Sequence, residues 1–206
     1  MMNFRDFLEH DINEMAIAMK GDWSAKEEMG SISKFVLNKD WEIKDTIGDN
    51  ELWKHKKTNA WVLGHFKEYE NEEKERFGII FRIDFTNQKN IGNKFNLKKL
   101  YNVDEVGVHI NNRGFGISTD MYRYFIKKHQ YNIIGDQKQF FGARKLWSKL
   151  SKSLDLTVDI INISTNEILE ENTIIYHGDL DHEFDDRVWS YGIDKKDIRL
   201  VLKDIK

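Results

Sequence analysis

Val106-Gly-Val-His-Ile-Asn-Asn-Arg-Gly-Phe-Gly-Ile-Ser-Thr119 is the stretch on which the reading of the fold turns. Val106, Val108 and Ile110 alternate as in a strand, a turn with Gly114 and Gly116 follows, and helical spacing begins at once. Glycine admits left-handed backbone and lets the main chain approach a ligand closely. The first N–H groups of a helix lack intrahelical partners, and the helix dipole adds about half a positive charge at the same end. Strand, glycine turn and helix in this order form a cradle for a phosphate or pyrophosphate. The same two glycines would equally serve a plain tight turn that needs φ > 0. The dinucleotide fingerprint G-x-G-x-x-G is not met, because Thr119 occupies its last position, and no Gly-Lys-Ser/Thr of a Walker loop occurs.

Upstream of this stretch the periodicity predicts two helices and then strands. Phe4, Phe7, Leu8, Ile12, Met15, Ala16 and Met19 keep helical spacing up to Gly21, and Met29, Ile32, Phe35 and Val36 do so again. Short aromatic and β-branched runs follow at Trp41-Glu-Ile-Lys, Glu51-Leu-Trp-Lys-His and Ala60-Trp-Val-Leu-Gly-His-Phe. In Phe77-Gly-Ile-Ile-Phe-Arg-Ile-Asp-Phe85, strict alternation puts Phe77, Ile79, Phe81, Ile83 and Phe85 on one face and Arg82 and Asp84 on the other. The charged run Glu70–Arg76 before it reads as a solvated hairpin tip. Short connections favour antiparallel neighbours in this half.

Downstream the pattern changes to alternating helices and strands. A helix over about 117–129 presents Ile117, Met121, Tyr124 and Phe125, and Tyr131–Gly135 reads as a strand. A second helix carries Ala143, Leu146, Trp147 and Leu150, and a strand follows over Leu156–Ile163. Strand–helix–strand order predicts right-handed crossovers and parallel pairing. The expected fold class is therefore α/β (an α+β mixed sheet), antiparallel in its N-terminal half and parallel in its C-terminal half. Ile198-Arg-Leu-Val-Leu202 either completes the sheet or forms an edge for a second subunit.

Composition bounds the function. A chain of 206 residues suits a single domain over 1–206. Cysteine is absent, which excludes disulfides, thiolate metal sites and a cysteine nucleophile, and fits a reducing, cytoplasmic setting. Proline is absent as well, and together with abundant Lys, Asn and Ile this reads as the bias of an AT-rich genome, such as that of a phage or a low-GC bacterium. Lys and Arg number 32 against 35 Asp and Glu, so the net charge of −3 argues against a broad nucleic-acid-binding field. No apolar run is long enough to span a bilayer, and the N-terminal pattern differs from a signal peptide. No membrane partner is expected.

Val106-x-Val108-His109-x-x-x-Arg113-Gly114-x-Gly116-Ile117-Ser118 resembles the acyl-CoA-binding motif of the GNAT N-acetyltransferase superfamily, Arg/Gln-x-x-Gly-x-Gly/Ala at the end of the fourth strand before a helix. Ser118 departs conservatively from its final small position. Phe140-Phe-Gly-Ala143-Arg-Lys-Leu146-Trp147-Ser-Lys149-Leu150-Ser151 resembles the helix that follows in the family, Asn-x-x-Ala-x-x-Leu-Tyr-x-Lys-Leu-Gly-Phe. The resemblance covers roughly 104–163, with 164–206 as a C-terminal extension of the sheet.

The resemblance implies a GNAT-like fold and transfer of an acyl group from acetyl-CoA or another acyl-coenzyme A directly to an amine. The main chain at Arg113, Gly114, Phe115, Gly116, Ile117 and Ser118 would hold the coenzyme A pyrophosphate, and Val106 and Val108 would run beside the pantetheine. The acceptor could be a small molecule, a protein amine or a modified nucleobase. An ammonium near pKa 10.4 must lose its proton before attack, and the departing thiolate gains from an acid. Trp147 stands where the family often has the tyrosine that acts as this acid, and an indole cannot give up its proton at a working pH. Phe140 likewise replaces the family's asparagine. By residue type, Tyr122, Tyr124, Tyr131 and Tyr191 are replacements, with Tyr124 better suited to packing. Glu105 and His109 are candidate bases, both on the face opposite Val106 and Val108, and His109 also reads as structural. The alternative is a catalytically silent GNAT-like binding or structural protein, or a different phosphorylated ligand in the glycine loop. Lys127 and Lys128 read as a solvated face that complements the helix dipole. His177, Asp179, Asp181, His182 and Asp185 are metal-ligand types in close sequence, but they also make an ordinary acidic turn or an amine-attracting wall, and no metal is assigned.

Overall fold

A computed structural model of the chain describes residues 40–67, 76–109, 112–136, 141–176, 188 and 197–205. The two N-terminal helices expected before residue 40, the charged tip after residue 67, Phe140, Tyr191 and the histidine–aspartate segment after Tyr176 lie outside the described residues. The elements are β1 (Trp41–Ile47), β2 (Asn50–His55), β3 (Ala60–Lys67), β4 (Arg76–Asn87), α1 (Lys89–Lys94), β5 (Leu100–Val108), α2 (Ile117–His129), β6 (Asn132–Ile134), α3 (Phe141–Ser151), β7 (Leu156–Asn162), β8 (Glu167–Glu170) and β9 (Ile198–Asp204). They form a mixed α/β arrangement with the strand order β1-β2-β3-β4-β5-β6-β9-β7-β8. The described residues divide into two compact units, one of those up to Phe85 together with those of 104–117, the other of those of 86–103 together with those from Ser118.

In the first unit β1, β2, β3 and β4 pair antiparallel in sequence order, as short connections require. Gly48 (φ 59°) opens the two-residue loop between β1 and β2, the Gly-X arrangement whose twist matches a hairpin. Trp61, Leu63, Phe81 and Ile83 meet across the β3–β4 pair and all are buried. The register then shifts: Leu63 faces Phe81 while Gly64 faces Ile79, so Ile80 is an extra residue in β4. This bulge reverses the parity. Ile79, expected beside Phe81, packs instead with Trp41, Val62, Trp53 and Ala60 on the opposite face.

In the second unit β5 and β6 are parallel, with Leu100, Tyr101 and Asn102 opposite Asn132, Ile133 and Ile134. The parallel pairing expected between β6 and β7 is not found. β9 lies between them, antiparallel to both, and β8 closes against β7 as another antiparallel strand. The C-terminal strand therefore completes the sheet from inside and is not an edge. Its position explains its composition: Leu200, Val201 and Leu202 are all buried, as expected of a strand covered on both faces. One face packs Leu100, Ile134, Ile161 and Val201 with Ile91, Phe95 and Leu97 from the α1 region. α2 buries Met121, Tyr122, Phe125 and Ile126, whereas Tyr124 is only half-buried.

Candidate functional site

β5 begins at Leu100, six residues before the strand pattern read from Val106, and ends at Val108, ahead of the glycine turn. Val106 and Val108 are half-buried at its end, with Gly107 buried between them. The His109 N–H donates to the Ile80 carbonyl at 2.9 Å, which ties the end of β5 to β4. The Asn112 N–H then donates to the His109 carbonyl at 2.8 Å and bends the chain back. Arg113 folds over this bend, its Nε donating to the Val108 carbonyl at 3.2 Å. The arginine side chain is thus part of the frame of the turn.

Gly114 and Gly116 both adopt left-handed backbone, φ 85° and 83°. Phe115 between them is 75% exposed, so its ring contributes nothing to the core. α2 starts at Ile117 straight after the second glycine. Its first-turn N–H groups have no partner within the helix, and the exposed Asp120 places one carboxylate in the same turn. Ile117 and Ser118 are half-buried. Val106 and Val108 thus lie on β5, Arg113 to Gly116 in the turn, and Ile117 and Ser118 at the start of α2.

The candidate acids and bases lie on different elements. Glu105 lies 3.6 Å from Arg82, which also makes a 2.7 Å ion pair with Asp84. That carboxylate is held in a three-residue ionic cluster. Trp147 is buried on α3. Tyr122 is buried on α2, where loss of water and the nearby Asp136 charge push its phenol well above the ordinary tyrosine value. Tyr131 is pushed up to about 12, first by burial and then by Tyr101, whose ring lies 4.3 Å away. Tyr124 contacts Phe125 and His129 edge-on, with Lys128 Nζ 5.5 Å from its ring, a packing role.

The second unit also carries a groove of about 970 Å³ that sequence reasoning missed. Asn96, Lys98, Lys99, Gln130 and Asn132 form part of its wall, with Lys203 and Asp204 from β9. Local charge counting would have pointed there: residues 86–103 contain four lysines and no carboxylate. No family of known proteins, no curated protein and no solved structure matches the chain at a significant level.

Proposed function

We propose that the protein is an acyl-CoA-dependent N-acyltransferase of GNAT-like fold, using acetyl-CoA or a related acyl-coenzyme A as co-substrate. The observation that carries this reading is the passage from β5 through Gly114 and Gly116, both left-handed, into the N-terminus of α2. Backbone of this form supplies clustered N–H donors to a pyrophosphate without needing a cationic side chain. It accommodates the engagement of Arg113 with Val108, because the main chain of the turn would hold the ligand. Beyond Asn102, where its pairing with β6 stops, β5 continues to Val108, offering strand backbone beside which a pantetheine arm could run. The acyl group would pass directly from sulfur to an amine that has lost its proton: the C–S bond breaks, the C–N bond forms and the thiolate leaves.

A second reading, a silent coenzyme-binding protein, draws on the proton problem. Trp147 is no acid, and a phenol raised as far as that of Tyr122 gives up a proton to a thiolate only against a large free-energy difference. Calorimetric titration of the purified protein with acetyl-CoA and coenzyme A tests both readings. Micromolar binding is expected, and thiol release on adding a panel of amines then separates enzyme from binder. Absence of binding at millimolar ligand overturns both.

A further inference from the structure

The net charge of −3 hides an uneven distribution. Residues 86–103 hold Lys89, Lys94, Lys98 and Lys99, and residues 121–135 hold Arg123, Lys127 and Lys128, with no Asp or Glu in either stretch. Folding brings the two together in the second unit. The Asn132 N–H donates to the Lys99 carbonyl at 3.0 Å, Asn132 Nδ2 to the Lys98 carbonyl at 2.5 Å, and Lys99 Nζ to the His129 carbonyl at 2.9 Å.

Some of these cations are neutralised within the fold. Lys127 pairs with Asp204 at 2.5 Å, and Arg123 lies 3.4 Å from Asp155. Lys89, Lys94 and Lys98 are exposed and make no ion pair among the described residues, and Lys99 spends its ammonium on a carbonyl that leaves the charge uncompensated. The groove begins where this excess lies: Lys98 and Lys99 line it beside Asn96, Gln130 and Asn132. Amide side chains alternating with uncompensated ammonium groups are the donors that phosphodiester oxygens accept from. Neither stretch exposes a large apolar side chain, as insertion into a lipid surface would require.

We propose that this face binds single-stranded nucleic acid, the backbone phosphates following Lys94, Lys98 and Lys99 into the groove. The inference is independent of the acyltransferase reading, since it uses neither the glycine turn nor coenzyme A. The test is fluorescence anisotropy of the whole chain with a labelled oligodeoxythymidylate of about 20 nucleotides. Binding in the micromolar range is expected near 50 mM NaCl, with log K falling against log [NaCl] at a slope of about −2 for roughly three phosphate contacts. The Lys94→Glu/Lys98→Glu variant, whose side chains make no bonds among the described residues, should keep its circular dichroism and bind at least tenfold more weakly. Lys149→Glu, an exposed charge reversal outside both stretches, should change affinity less than twofold. The proposal is overturned by no anisotropy change, by a slope flatter than −1, or by equal losses in the two variants. Binding to phosphatidylserine vesicles in place of the oligonucleotide would also overturn it.

Discussion

Gly92 and Gly114 are glycines for different physical reasons, and only one of the two was legible in the sequence. Gly114 has φ 85° with no atom within 4 Å of where a Cβ would stand, so space is available and conformation is the constraint. Gly114→Ala should therefore cost about 1–2 kcal/mol, the penalty for an L-residue in the left-handed region. At Gly92, on α1, an added Cβ would stand 2.6 Å from the Leu97 carbonyl oxygen and 3.2 Å from Leu100 Cβ. That oxygen is backbone and cannot swing away, so Gly92→Ala should destabilise by about 2–3 kcal/mol through overpacking. Urea unfolding of both variants, with Gly92→Ala the less stable, checks the distinction. Gly116 shares that left-handed backbone at φ 83°, and on the proposed coenzyme A reading Gly116→Glu, which puts bulk and negative charge at the start of α2, should weaken coenzyme A binding by more than tenfold. Unchanged affinity in that variant would remove the glycine turn as the binding site. The Gly114–Gly116 turn could be read because strand, turn and helix signals follow one another within a dozen residues. Gly92 could not, since its neighbour Leu100 is set by tertiary packing.

At the scale of elements, local patterns located most of the described strands and both longer helices, and failed where a long-range partner decided the outcome. α2 spans Ile117–His129, the range its periodicity predicts. The bulge at Ile80 has no signal in Phe77–Phe85, where perfect alternation implies one uninterrupted face. Nor can a rule about consecutive strands foresee that β9, some 35 residues after β7, enters between β6 and β7. The signature of that insertion is chemical. Asp159 is only 3% exposed on β7, and its carboxylate pairs with Lys203 of β9 and accepts the Asn172 N–H at 3.2 Å. A charge so deeply buried needs its partner, and truncating one member leaves the other uncompensated. Because Lys203 reaches partly to solvent, Asp159→Ala should cost about 3 kcal/mol, at the lower end for such pairs. Asp159→Asn, which keeps the amide acceptor for Asn172, should lose less. Equal stability of all three proteins in urea would show that the pair does not hold β9 in place.

Across the whole molecule, charge and titration give the properties that composition alone conceals. A near-balanced total allowed no basic face to be read from the sequence sum, yet the cations of 86–103 and 121–135 meet because β5 and β6 lie side by side. The same burial that builds the second unit sets its alkaline limit. Tyr122 and Tyr131 are buried, and their phenols titrate above the ordinary value near 10, that of Tyr131 at about 12. Below pH 10 both phenols are neutral folded or unfolded, and their burial carries no pH-dependent penalty. Above it the unfolded chain releases protons that the folded chain retains, so stability falls as pH rises from about 10 to 12. Each such tyrosine should raise the unfolding constant by up to tenfold per pH unit across that window. Tyr131→Phe should flatten the fall by one proton's worth between pH 10 and 12, and Tyr122→Phe should do the same and extend the gain to higher pH. Denaturant midpoints measured every half unit from pH 9 to 12 provide the check, with tyrosinate absorbance near 295 nm reporting when the buried phenols ionise. Should the native protein show all its phenols titrating together near pH 10 before it unfolds, neither ring would be shielded from water, and the packing of α2 against the sheet would need revision.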